Sequence, residues 1–451
     1  MALTQSQLGI IEAVKTGRNL FITGGAGVGK TYTIHSILSY LGSVNKNIML
    51  TAPTGIAALG INGVTLSRAF EIPFGALTYR VNSYIPNEEL INTDVVIIDE
   101  ISMCRVDTFD FIANKILKAD ETRKMRGAKP IQLIVVGDFF QLPPVITNRD
   151  REALEKYYKT EIGLGYAFTS KFWKMFNFYN MMLSEVMRQS DCEYIQNLNM
   201  VRTGNKAYIQ QIVDKSSPER LVDAIEICGK NSEVRGINAR ELEKIDSPAY
   251  GYRAIITGDA NESDVIADEE LVLKVGARVM TLINSESTKN GELGTVEELD
   301  TDKVVVKLDR GLRVELERFT WDVYNYRLEK NENEQEQLVK YVSGTLTQFP
   351  VKLAYAITVH KSQGQTYDKA NISPYCWECG QLYVAISRVK TNENIHFNYA
   401  PDVKYVQTSL NVIKVYNSLV FNAELKVDDT VEQKSAYQND MNSILSAFEK
   451  L

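Results

Sequence analysis

Through the first 185 residues, short apolar runs alternate with segments of helical spacing. Residues 19–23, 47–52, 94–98 and 131–136 are four such runs, too short for helices and rich in Ile, Val and Leu. Between the first two, Ile34, Ile37, Leu38 and Leu41 recur at helical spacing. Continuous apolar strands alternating with amphipathic helices predict a parallel sheet buried on both faces. Residues 4–15 form a predicted first helix with Leu8, Ile11 and Val14 on one face, and Thr4 followed by Gln7 fits a capping box. The aromatic stretch 167–180, with Phe168, Phe172, Trp173, Phe176, Phe178 and Tyr179, is read as core packing.

The pattern restarts near residue 190. Residues 224–228 and 253–257 are further strand candidates, and between 271 and 348 the period shortens to runs of β type (271–275, 277–280, 304–308, 312–316) separated by Gly- and Asn-bearing turns. A small inserted β-barrel is expected there, with the acidic run 329–337 as an exposed loop. Alternating α and β character returns over 352–399, a helix is expected around 406–419, and the end carries a solvated acidic run at Asp428, Asp429 and Glu432. The chain of 451 residues is long enough for several cores.

Composition adds limits. Apolar residues make up 44% and charged residues 24%, the balance of a globular protein. No apolar run approaches the roughly 20 residues that span a bilayer and the start lacks a signal-peptide pattern, so a cytoplasmic protein without membrane contact is expected. Five scattered cysteines argue against a disulfide framework, and the lone Cys376/Cys379 pair is better explained by packing than by metal. Net charge is −7 and pI about 5.4, which confines any nucleic-acid contact to a local channel.

The chemistry centres on Gly24-Gly25-Ala26-Gly27-Val28-Gly29-Lys30-Thr31, set between a strand and a helix. Glycines let successive N–H groups form an anion nest, and the helix N-terminus adds its dipole. Gly25, Ala26, Gly27, Val28 and Gly29 would cradle a nucleoside triphosphate, Lys30 would reach the β- and γ-phosphates, and Thr31 would hold Mg²⁺. Asp99 and Glu100 end the third apolar run, where the first carboxylate would orient the metal and the second accept a proton from water. Gln141, after the fourth run, is placed to sense the γ-phosphate. Arg188 follows another apolar stretch and needs an anionic partner, for which a phosphate would serve. The Pro53-Thr54-Gly55 turn offers donors for a phosphate or is an ordinary loop; the aromatics of 71–88 suit base stacking or local packing; His360 suits a backbone contact on nucleic acid or a structural role. Gln7 already has a structural explanation in the capping box.

The segments GGAGVGKT, APTGIAA, VVIIDEIS, GDFFQLPPV, LSEVMRQ, AITVHKSQGQT and YVAISRVKT, in this order, resemble a RecD-like superfamily 1 DNA helicase of the PIF (petite integration frequency) group over roughly residues 3–400. The resemblance implies an α/β fold of two RecA-like phosphate-loop domains, 1–185 and 186–270 plus 349–425, with a small wedge-type insertion near 61–88, an SH3-like β-barrel at 271–348 and a tail at 426–451. It implies ATP and Mg²⁺, with Gln7 reading adenine, Gly364 near the nucleotide, Lys30, Glu100 and Gln141 in hydrolysis, Asp99 on the metal, and Arg188 and Arg388 as arginine fingers. It further implies 5′→3′ movement on single-stranded DNA by a monomer, with forked or tailed duplexes, G-rich structures or RNA–DNA hybrids as partners. Contacts to DNA would come from Pro53, Thr54, Phe74, His360 and Lys361. Where relatives carry Thr-Ile-His-Ser, this chain has Thr65-Leu66-Ser67-Arg68, so Ser67 and Arg68 are the candidates to replace the histidine. Two competing functions, a translocase that displaces proteins without unwinding and a nucleotide-switched binding module, share the phosphate loop; a pure switch has no need of a full hydrolytic set.

Overall fold

The computed structural model describes residues 3–73, 75–78, 86–185, 191–222, 224–258, 267–288, 291–330 and 336–421. Two units separate along the chain, one made of 1–229 and 359–451 and the other of 230–358. The first unit holds a six-stranded parallel sheet. Its strands are β1 (Leu20–Thr23), β2 (Ile48–Ala52), β3 (Val64–Thr65), β4 (Val95–Ile98), β5 (Gln132–Val136) and β6 (Tyr179–Met182), in the order β3-β2-β4-β5-β1-β6.

Alternation along each strand explains the uninterrupted apolar runs. Phe21, Val96, Ile98, Leu133 and Val135 enter one core, while Leu20, Ile22, Val95, Ile97, Ile134 and Val136 enter the other. Both faces are covered, so neither set of side chains meets water. The second core is closed by α1 (Gln5–Lys15) and α2 (Lys30–Ser43) through Ile10, Ala13, Val14, Ile34, Ile37 and Leu41. The capping box of α1 forms, with the Gln7 side-chain oxygen accepting the Thr4 N–H at 3.0 Å. Phe168, Phe172, Trp173 and Phe176 lie in the first core, packed around Phe21, Phe109 and Phe139.

Ile225–Cys228, Ala370–Ile372 and Ile395–Phe397 pair in parallel in the same unit. The helix Leu410–Ser418 departs from the sequence-based assignment to the second domain. It returns to the first sheet, where Val412 and Tyr416 join the core. The Tyr416 hydroxyl shares a 2.6 Å hydrogen bond with Thr23 Oγ1 and accepts the Phe139 N–H at 3.4 Å. Amphipathic spacing announced a helix, but nothing local announces which domain its apolar face will cover.

The second unit is chiefly antiparallel. Arg313–Leu316, Val304–Leu308, Leu293–Leu299, Arg278–Thr281 and Val351–Leu353 form one sheet; Phe319–Lys330, Glu336–Gln348 and Ile255–Gly258 form another. Leu242, Tyr252, Leu273, Val279, Val306 and Phe349 share its core. Two strands before residue 271 belong to this β unit, unlike the expected boundary: Ala249–Arg253 pairs with Glu270–Lys274 and Ile255–Gly258 with Glu336–Gln348. The acidic run expected as a loop is strand at both ends, with Glu329 opposite Gln337 and Lys330 opposite Glu336.

The docking of the helix Leu410–Ser418 is testable. Tyr416→Ala is expected to cost ~3 kcal/mol, seen as a lower urea midpoint, because it empties an aromatic site in a closed core. Tyr416→Phe, which leaves the buried Thr23 hydroxyl without this partner, should cost only about 1 kcal/mol. Equal midpoints for all three proteins would contradict the packing role.

Candidate active site

All six strands of the first sheet are parallel, so their C-terminal ends collect on one edge, the usual ligand edge of such a sheet. A hollow of about 980 Å³ lies at the opposite edge, beside Asn19, Val95, Gln132 and Tyr179, and contains none of the predicted site residues. The chemistry gathers instead in a cleft of about 260 Å³. Its walls include Ala26, Gly27, Lys30 and Thr31 of the glycine loop, Glu100 and Gln141 from neighbouring strand ends, and Gly364 and Arg388 from far along the chain.

The loop is shaped by backbone only glycine adopts readily. Gly27 and Gly29 have φ of 78° and 82°, and Gly29 caps α2 without a side-chain bond, which leaves the first N–H groups of the helix directed at the cleft. Lys30 Nζ donates to the Gly24 and Gly25 carbonyls at 2.9 and 2.8 Å. Burial lowers the Lys30 pKa, against the pull of Asp138, Glu100 and Asp99.

Asp99 and Glu100 directly follow β4, and both are buried. Glu100 sits in the left-handed region at φ 48°, an unfavourable conformation for a side chain with a Cβ, and its N–H donates to Asp99 Oδ1 at 2.8 Å. Burial, then the neighbouring Glu100 charge, pushes the Asp99 carboxyl up to about 7. Two buried carboxylates side by side call for a cation. Gln141 is buried as well, and its side-chain oxygen has no hydrogen-bond partner.

The opposite wall comes from Gly364 and Arg388. Arg388 is buried; its Nε donates to Val384 O at 2.9 Å, Nη1 to Gln365 O at 3.2 Å and Ser362 O at 3.4 Å, and Nη2 to Ser387 Oγ at 2.9 Å. Burial lowers its pKa and Glu100 opposes that shift most strongly. Three residues that sequence reasoning missed brace the groups around the cleft. Gln363 Nε2 donates to Glu100 Oε2 at 2.9 Å, the Tyr383 hydroxyl accepts the Ala26 N–H at 2.7 Å, and Arg202 grips Asp138 through two bonds of 2.9 and 2.8 Å while lying 4.4 Å over the Phe140 ring. The one available signal for Arg202 is a cation following Tyr194, Leu198 and Val201 on an apolar helix face, where a buried partner is required.

The remaining predicted residues are more dispersed. Gln7 is buried in the capping box. Thr54 Oγ1 accepts the Ala57 N–H at 3.3 Å, after the Pro53 turn. Ser67 and Arg68 are exposed on the short helix Leu66–Ala69. His360 and Lys361 lie on the helix Val359–Ser362 rather than a turn, and His360 Nε2 is 3.2 Å from Glu378 Oε2 without hydrogen-bond alignment. Arg188 and Phe74 fall outside the described residues.

The PIF1-like helicase family profile matches residues 2–215. An ATP-dependent DNA helicase Pif1 of Campylobacter jejuni is 28% identical, with 91% of this chain and 95% of the relative covered. The protein of the same name from Bdellovibrio bacteriovorus is 30% identical, with 87% of each covered. A Bacteroides Pif1 helicase crystallised with ADP-AlF3 and single-stranded DNA is 33% identical and superposes with a TM-score of 0.77, covering 93% of this chain and 97% of that one.

Asp99 yields a prediction whose sign is fixed. A folded pKa near 7 against an ordinary 3.8 means the folded chain keeps a proton that the unfolded chain releases, so the fold loses stability as pH rises between those values and does not regain it above. Asp99→Asn should therefore raise the thermal midpoint by ~2 °C at about pH 8, without nucleotide or Mg²⁺, and change it little near pH 4. A lower midpoint at the higher pH would contradict burial as the dominant effect.

Proposed function

The chain belongs to the Pif1-like helicase family, and we propose that it is an ATP-dependent DNA helicase that moves along single-stranded DNA and separates duplexes. The observation that carries this reading is the composite cleft. Lys30, Glu100 and Gln141 from the first sheet face Gly364 and Arg388 from the second part of the unit across one cavity.

The residues fit a nucleoside triphosphate with Mg²⁺. N–H groups of Gly25 to Gly29 and the start of α2 suit the phosphates, and the crowded carboxylates suit a divalent cation held by Asp99 and Thr31. Bound Mg²⁺ would neutralise charge on the phosphate oxygens. Lys30 would exchange the Gly24 and Gly25 carbonyls for phosphate, Glu100 would take the proton from water, and Gln141, with its oxygen unpartnered, would orient that water. Gln7 is the proposed adenine contact. Arg388, and by the family pattern Arg188, would stabilise transition-state charge only when the two parts close, which ties hydrolysis to movement.

Alternating grip then becomes stepping. Pro53, Thr54, Ser67, Arg68 and Phe74 on the first domain and His360 and Lys361 on the second are the proposed DNA contacts, with 61–88 as the strand-separating wedge. Movement is proposed to run 5′→3′.

Strand displacement on duplexes carrying either a 5′ or a 3′ tail tests this directly. With ATP and Mg²⁺ the 5′-tailed substrate should open, and Lys30→Ala should reduce both turnover and opening at least ~100-fold. Turnover indifferent to single-stranded DNA, with neither substrate opened, would overturn the reading.

A further inference from the structure

The segment that follows the proposed DNA-contact helix reaches directly into the hydrolysis site. Glu100 Oε2 accepts a hydrogen bond from Gln363 Nε2 at 2.9 Å, and the two side chains are 7% and 4% exposed. Gln363 Oε1 is buried with no partner. Turning the amide over would set its oxygen against a carboxylate oxygen, so the orientation follows from the bond to Glu100. An amide kept in place with half its capacity unused is serving that one contact.

Gln363 cannot shift independently of its neighbours. Its N–H reaches His360 O at 3.4 Å, Ser362 Oγ donates to Val359 O at 2.7 Å, and the Gln365 N–H donates to Ser362 O at 3.1 Å. Helix and loop form one hydrogen-bonded piece, which bends away at Gly364 with φ 81°. Arg388 Nη1 is tied to the Ser362 and Gln365 carbonyls of that same piece. One short segment therefore holds both the proposed base and the proposed finger. At its other end, His360 Nε2 lies 3.2 Å from the Glu378 carboxylate, so a DNA phosphate approaching His360 and Lys361 meets a like charge there and disturbs the contact.

We infer that Gln363 is a positioning residue that restrains the Glu100 carboxylate until single-stranded DNA engages the helix Val359–Ser362. To accept a proton from water, Glu100 must present a carboxylate oxygen with a free lone pair in line with that water, and the Gln363 N–H competes for this aim. DNA pulling on the helix withdraws the amide and loosens the Arg388 anchor in one movement. The inference rests on the helicase reading above and supplies the coupling between its two ligands.

The test uses Gln363→Met in the full chain. ATP turnover is measured without DNA and with saturating oligo(dT), alongside equilibrium binding of a fluorescent ADP analogue and of oligo(dT). DNA-free kcat should rise at least about fivefold, DNA-saturated kcat should stay within about twofold of wild type, and both affinities should hold within about twofold. Gln363→Asn, a methylene shorter, should behave alike and serves if the Met variant does not fold. DNA-free turnover that stays level, or that falls together with the DNA-stimulated rate, overturns the restraint. A rise matched by an equal change in ADP-analogue affinity assigns Gln363 to nucleotide binding and overturns it too. If oligo(dT) does not stimulate the wild-type chain, the helicase reading fails first and the inference with it.

Discussion

Charge taken out of water must find a partner, and around the phosphate loop this chain buries several charges within reach of one another. Arg202 and Asp138 satisfy each other through a bidentate pair. The others are held by groups that a nucleotide complex would replace: Lys30 by its own loop's carbonyls, Arg388 by the carbonyls of 362, 365 and 384, Glu100 by the Gln363 amide, Asp99 by a single backbone N–H. Desolvating a charge costs several kcal/mol unless it is paired. In the proposed function phosphate and metal would take the place of these contacts, at a site where the desolvation cost is already met by the fold.

That constraint explains the architecture around it. A parallel sheet covered on both faces brings β1, β4 and β5 side by side, so the glycine loop, Asp99-Glu100 and Gln141 emerge along one edge. The Asp138–Arg202 pair then fixes the helix Cys192–Arg202 against that edge, and Arg202 lies over Phe140 while the Tyr416 ring packs at a tilt against the same aromatic. Breaking such a pair from one side leaves a buried charge alone, which is far more costly than the pair is stabilising. The joint is specific for that reason: a slipped arrangement would strand one of the two ions.

Local pattern carried much of this. Strand, glycine loop and helix were legible because glycine content, apolar period and capping chemistry are all short-range, and the Thr4–Gln7 capping box was legible for the same reason. Asp99 and Glu100 were legible as carboxylates ending an apolar run. What stayed hidden depends on partners distant in the chain. Gln363 meets Glu100 across 263 positions and Arg202 meets Asp138 across 64, and neither glutamine nor arginine carries a periodic signature of its own. Tyr383 is a buried residue whose hydroxyl contact with the Ala26 N–H follows only from the tertiary fold. The helix Leu410–Ser418 was predicted as an element and misplaced as a domain member, since an apolar stripe specifies burial without specifying against what.

In the proposed function, hydrolysis needs both halves of the cleft, with Arg388 completing from one side what Lys30, Glu100 and Gln141 begin on the other. Arg388→Ala, measured for ATP turnover at saturating single-stranded DNA and for affinity toward a non-hydrolysable ATP analogue, tests it most directly. Turnover is expected to fall by ~10³ with affinity changed no more than about threefold. Turnover close to wild type would contradict it.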